Sequence, residues 1–105
     1  MTIGRSKKVK YGSNELERDY GQLSFGKLLQ AHRISEEISQ SEMARKLKIS
    51  RQKLNDFERG RRFPSLRMTA DVAKALGEHT PTWISVVLEE MLRQEDLDFK
   101  VTLAS

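Results

Sequence analysis

Apolar residues recur at helical spacing through most of this chain, in separate stretches that each have polar residues on the opposite face. The best organised stretch runs from Ile38 to Gly60. Ser39 opens it and Glu42 stands three residues later, the spacing at which a serine hydroxyl caps a helix while the glutamate reaches back to the serine amide. Ile38 and Met43 occupy the positions of a hydrophobic staple across that cap. Ser50 repeats the device for a second helix, with Ile49 and Leu54 as its staple. Only Lys48 and Ile49 separate the first helix from the second cap, so the second helix must cross the first steeply. Met43, Ala44 and Leu47 share one face of the first helix, and Leu54 and Phe57 one face of the second. Ala44 is small enough to let the two approach closely.

The flanking pattern predicts three further helices. Ser24 caps the first, with Phe25, Leu28, Leu29 and His32 on one face and Ile34 finishing it. His32 reads as a packing or surface residue rather than a ligand. After Gly60, Pro64 holds Phe63 extended and ends the helical run. Ser65 caps a fourth helix striped by Leu66, Thr69, Ala70, Ala73 and Leu76, which Gly77 terminates. Thr80 caps a fifth, with Pro81 in its first helical position. Its apolar face (Trp83, Ile84, Val87, Leu88, Met91, Leu92) is broader than a small core needs, leaving surface for a partner. Glu89 and Glu90 read as solubilising carboxylates on its exposed face.

At the ends the pattern changes. From Leu97 to Leu103 apolar and polar residues alternate, the period of a strand. A lone strand leaves its backbone groups unpaired. The tail is therefore either disordered or paired with the same tail in a second subunit, the N-terminal segment, or a sheet edge on another protein. Met1 to Asn14 carry Arg5, Lys7, Lys8 and Lys10 with little to fill a core, and are expected to be mobile without a partner. Glu15 to Tyr20 form a candidate helical turn ended by Gly21.

Length and composition narrow the classes. The 105 residues suffice for one modest core. With no cysteine, neither disulfides nor thiolate zinc sites hold it together, and His32 and His79 lack metal-ligand spacing. No apolar run approaches the roughly 20 residues of a membrane span, and the N-terminus lacks the apolar centre of a signal peptide. The expected location is cytoplasmic, with no metal and no cofactor. No serine or cysteine is paired with a histidine and there is no glycine-rich phosphate loop, so binding rather than catalysis is expected. The net charge is +4 and the pI about 9.6. Its distribution is uneven: Lys48, Arg51, Lys53, Arg59, Arg61, Arg62 and Arg67 crowd one segment, whereas Glu78 to Asp98 is acidic. One positive face and one negative face are expected.

Gln40, Ala44, Ile49, Leu54 and Phe57, followed by Glu58-Arg59-Gly60, Pro64-Ser65 and Leu76-Gly77, make the chain resemble the XRE family of phage-repressor-like helix-turn-helix proteins, from about Phe25 to about Met91. The resemblance implies an all-α, five-helix, lambda-repressor-like DNA-binding domain over residues 23–94, flanked by a basic N-terminal arm (1–22) and a strand-like C-terminal tail (95–105). Some repressor arms lie along a DNA groove, an alternative to a frayed terminus here. Lys48 departs from the family pattern, which has glycine in the turn. A left-handed backbone at a non-glycine residue adds roughly 1 kcal/mol of strain.

The same resemblance assigns roles. Arg51 and Gln52 begin the recognition helix, where similar repressors reach base edges; arginine suits guanine O6 and N7, glutamine adenine N6 and N7. Lys53, Asn55 and Asp56 are secondary base-reading candidates, and Asp56 is alternatively placed to orient Arg51 or Gln52. Gln40, Ser50, Arg59, Arg61 and Arg62 are phosphate-binding candidates, Gln40 with help from helix-end amides. Arg33 and Glu58 are expected to form a structural ion pair. Family members bind palindromic operators as two-fold dimers, so a homodimer on double-stranded DNA is expected. Short proteins of this layout resemble HigA-type antitoxins, implying a toxin partner and repression of the chain's own promoter. They also resemble small phage or plasmid repressors without one, but the surplus apolar face of the fifth helix and the strand-like tail favour the antitoxin. A protein-interaction adaptor that has lost DNA binding is a third reading, disfavoured by Arg51-Gln52-Lys53 beside Arg61-Arg62.

Overall fold

The computed structural model describes residues 2–5 and 22–103. Its elements are β1 (Thr2–Arg5), α1 (Phe25–Ser35), α2 (Gln40–Leu47), α3 (Arg51–Glu58), α4 (Leu66–Ala75), α5 (Thr80–Gln94) and β2 (Phe99–Thr102). The expected all-α, five-helix fold is the one observed, with a short strand at the C-terminal end.

The first four helices start as their local sequence dictates. Ser24, Ser39, Ser50 and Ser65 each accept a hydrogen bond on Oγ from the amide three residues on, at 3.0–3.1 Å. Glu42 completes the capping box by accepting from the Ser39 amide at 3.3 Å. The fifth start differs from expectation. Thr80 is itself the first helical residue and His79 precedes it without a side-chain cap. Pro81 supplies a helical φ and lacks an amide, so the first turn has one donor fewer to satisfy.

The helices bury their apolar stripes against one another, with Phe25 at the centre. Its ring meets Phe57 of α3 edge-on at 5.3 Å and Trp83 of α5 at 6.0 Å. Met43, Leu54, Ala73 and Val87 complete the same core. Two expected core positions lie outside it. Ile34 is 60% exposed because, at about 100° per residue, it falls half a turn away from Phe25. Leu66, in the first turn of α4, is also exposed, and Val72 is buried on that helix instead.

The termini depart further from expectation. Thr2–Arg5 belong to no free arm: they form β1, antiparallel to β2, with Ile3 opposite Val101 and Gly4 opposite Lys100. Of the partners open to the tail, it takes the N-terminal segment of its own chain. Residues 6–14 of the expected arm and the candidate turn Glu15–Tyr20 lie outside the described residues. β2 in turn packs on α5 and buries Val101, which covers part of the apolar face that sequence left spare.

Glu89 and Glu90 are not the solvated pair expected of them. Glu89 Oε2 accepts from the Val101 amide at 2.8 Å, and Glu90 Oε1 accepts from the Phe25 amide at 2.7 Å. Arg93 Nη2 adds a bond to the Leu23 carbonyl at 3.0 Å. One turn of α5 thereby fastens both β2 and the start of α1. Much of the acidic segment is used internally in this way, since Glu78 also pairs with His32. Glu95, Asp96 and Asp98 remain exposed. Among the described residues no helix is long and apolar enough to cross a membrane.

Candidate nucleic-acid interface

The site is built from α2 and α3. At the turn between them Lys48 adopts the left-handed conformation, φ 59° and ψ 41°. The Ile49 amide then reaches back to the Ala44 carbonyl at 3.0 Å, which closes α2 and delivers the chain at once to the Ser50 cap. Ala44 is buried at the crossing, as its size requires. α3 turns Leu54 and Phe57, 0% and 2% exposed, into the core. Arg51 and Gln52, in its first turn, are exposed, and Lys53, Asn55 and Asp56 are half-buried. At about 100° per residue Gln52 falls nearly opposite the Leu54–Phe57 stripe, and Arg51 lies about a quarter turn to its side.

The rear of α3 is held by a charged network. Arg33 of α1 donates to Glu58 through Nε at 2.8 Å and Nη2 at 3.0 Å, the bidentate geometry of the strongest ion pairs. Its Nη1 also donates to the Ile38 carbonyl at 3.3 Å. The Glu58 side chain is only 3% exposed, yet its charge is compensated because Gln40 Nε2 donates to it as well, at 3.1 Å. The hydrogen bond that Arg33 donates to Glu58 outweighs the opposing effect of burial and raises the Arg33 pKa above its ordinary value. The network joins the end of α1, the first residue of α2 and the last residue of α3.

Gln40 has a second engagement. The same Nε2 donates to Asn55 Oδ1 at 3.1 Å, so both hydrogens of this amide are directed into the protein. The side chain of Gln40, a phosphate-binding candidate, is thus engaged within the protein, and its backbone stands at the N-terminus of α2. Asn55, half-buried, accepts on Oδ1, and its Nδ2 group is not used in that bond. Ser50 accepts the Lys53 amide on Oγ, which leaves its hydroxyl hydrogen to donate elsewhere. On the exposed surface Gln52 Nε2 donates to Asp56 Oδ1 at 2.9 Å, one helical turn away. On either side of Gly60, Arg59, Arg61 and Arg62 are all exposed.

A family model described as a helix-turn-helix domain matches residues 24–82, from the cap of α1 into the first turn of α5. The chain belongs to the helix-turn-helix domain family. It is thus a DNA-binding protein of that kind, from a family that is typically non-enzymatic. No curated protein matches it.

Within the helix-turn-helix, sequence reasoning overlooked two features. A Cβ on Gly26 would stand 2.2 Å from the Phe57 carbonyl oxygen, so α1 presses its bare backbone against the end of α3. A glycine directly after the first buried aromatic was the available signal. The Gln40–Asn55 bond joins residues on different helices, and no spacing rule along the chain points to it.

Proposed function

We propose that this helix-turn-helix protein is a sequence-specific regulator of transcription, with the first turn of α3 entering the major groove of double-stranded DNA. Arg51 and Gln52 meet base edges there, with Lys53, Asn55 and Asp56 beside them. Ser50, Arg59, Arg61, Arg62 and the amides at the start of α2 hold the backbone on either side, Gln40 contributing by position rather than through its side-chain nitrogen. One observation carries this reading: Arg51 and Gln52 are exposed on a helix whose opposite face is fully buried and whose far end is pinned through Glu58. A helix so anchored is already ordered before binding, which lowers the entropic cost of docking its polar turn.

A helix of this length covers a short half-site, so the chain acts as a homodimer on a palindromic operator. The resemblance to XRE proteins supports, as the finer reading, an antitoxin of the HigA type that represses its own promoter and binds a toxin. The exposed Phe63, Met91 and Leu97 favour such a protein partner. Pairing of β2 with β1 removes the free tail as an argument for it. The alternative is a phage or plasmid repressor without a toxin.

Selection of bound duplexes from a random pool, repeated at two salt concentrations, tests the reading. The expected product is a two-fold symmetric site with half-sites about one helical turn apart. Recovery of unrelated sequences at both salts contradicts it.

A further inference from the structure

We infer that Asp56 is a positioning residue that sets the base preference of Gln52, so that Gln52 selects adenine and rejects guanine; this rests on the groove-reading role proposed for α3. The observation is the bond from Gln52 Nε2 to Asp56 Oδ1 at 2.9 Å, between an exposed glutamine and a half-buried carboxylate one turn along the same helix.

A glutamine amide has a donor end and an acceptor end that differ little in shape, and a free side chain can turn either one to a base. An ionised carboxylate only accepts. With Asp56 beside it, the orientation that brings Nε2 to the carboxylate gains a charge-assisted hydrogen bond, and the flipped orientation sets Oε1 against negative charge. The flip is thereby closed. One Nε2 hydrogen is used by Asp56, and the tip offers Oε1 together with the remaining Nε2 hydrogen. Adenine answers that pair, its N6 amino group donating to Oε1 and its N7 accepting from Nε2. Guanine opposes it, because O6 would face Oε1, acceptor against acceptor. A glutamine released from Asp56 could turn its amino group to O6 and N7 and accept guanine.

Asp56 has a second effect of opposite sign. Its charge sits on the helix surface that faces the phosphates, where it weakens attachment to every sequence alike. The residue therefore lowers affinity while raising discrimination, a combination that a purely structural residue does not produce.

The test uses the full chain with the operator obtained by selection. Gln52→Ala first locates the position it reads, as the base pair at which preference is lost. Duplexes carrying adenine or guanine there are then compared for the wild type, Asp56→Asn and Asp56→Ala, with thermal melts of each protein alongside. The expected result is that both variants melt like the wild type and bind both duplexes more tightly, while the adenine-to-guanine affinity ratio falls by about fivefold or more. A ratio unchanged in both variants, at a position where Gln52→Ala abolishes it, overturns the inference and leaves the groove-reading role standing. Equal weakening on both duplexes with a lowered melting temperature also overturns it, by making Asp56 structural. A wild type that binds all duplexes alike overturns the groove-reading role and this inference together.

Discussion

Glu90, in the C-terminal half of α5, accepts a hydrogen bond from the backbone amide of Phe25, the first residue of α1, at 2.7 Å. The contact joins positions 65 residues apart and fastens the start of α1, which Ser24 caps, to α5. Through Phe25 and Gly26 it also bears on α3, because Phe25 stacks edge-on against Phe57 and Gly26 abuts the Phe57 carbonyl.

Burial raises the Glu90 pKa above its ordinary 4.5, against the lowering effects of the Phe25 amide, Arg93 and Lys27. A carboxyl with a raised folded pKa binds more protons folded than unfolded over the interval between the two values, so its contribution to stability is present below that interval and is lost as pH rises through it. Glu90→Gln keeps an oxygen for the Phe25 amide and removes the charge. Urea unfolding from pH 4 to 7 should show the wild-type slope flattened in this variant, with stability at pH 7 equal or higher. Glu90→Ala should flatten the slope in the same way but lie about 1 kcal/mol below Glu90→Gln at every pH in that range, as the amide loses its partner.

The Arg33–Glu58 pair should behave as a unit. Removing either side strands a charge in a site that is nearly closed to water, so Arg33→Ala and Glu58→Ala should each cost about 3 kcal/mol in chemical denaturation. The double variant should cost less than the two added together, since each single change already abolishes the same interaction.

Gly26→Ala tests the close approach of α1 to α3. The new Cβ collides with backbone, which cannot swing aside as a side chain can. A loss of about 2 kcal/mol or more is expected, measured by thermal melting. A neutral result would mean that the two helices sit farther apart than described.

Lys48→Gly relieves a left-handed side chain at the α2–α3 turn. Strain relief of roughly 1 kcal/mol is set against the greater freedom of glycine in the unfolded chain. A melting temperature unchanged or raised by a few degrees is expected, with DNA affinity unaltered.

How much of this was legible in advance depended on the distance over which each feature is determined. The caps at Ser24, Ser39, Ser50 and Ser65 act over three residues, and all appeared where the spacing placed them. The left-handed backbone at Lys48 was legible only through the glycine that similar proteins carry in this turn. Glu89 and Glu90 were misread because a surface carboxylate and a carboxylate that caps a distant amide have the same sequence; only the fold brings Val101 and Phe25 to them. β1 was misread for a related reason: Thr2–Arg5 are too few to show a period, and their partner lies at the other end of the chain. At the interface, residue identity marked Gln40 as a donor, but the fold turns that donor toward Asn55 and Glu58.

On the proposed reading, the first turn of α3 contacts bases while the arginines beyond its end grip the backbone. The most direct measurement compares Arg51→Ala with Arg61→Ala for binding to the selected site and to a scrambled duplex across a salt series. Arg51→Ala should weaken the selected site by about 1–3 kcal/mol and leave the scrambled duplex much less affected. Arg61→Ala should weaken both alike and shallow the salt slope by about one unit. Equal losses on both duplexes from both variants would contradict the account, since Arg51 would then be one more phosphate contact and α3 would read nothing.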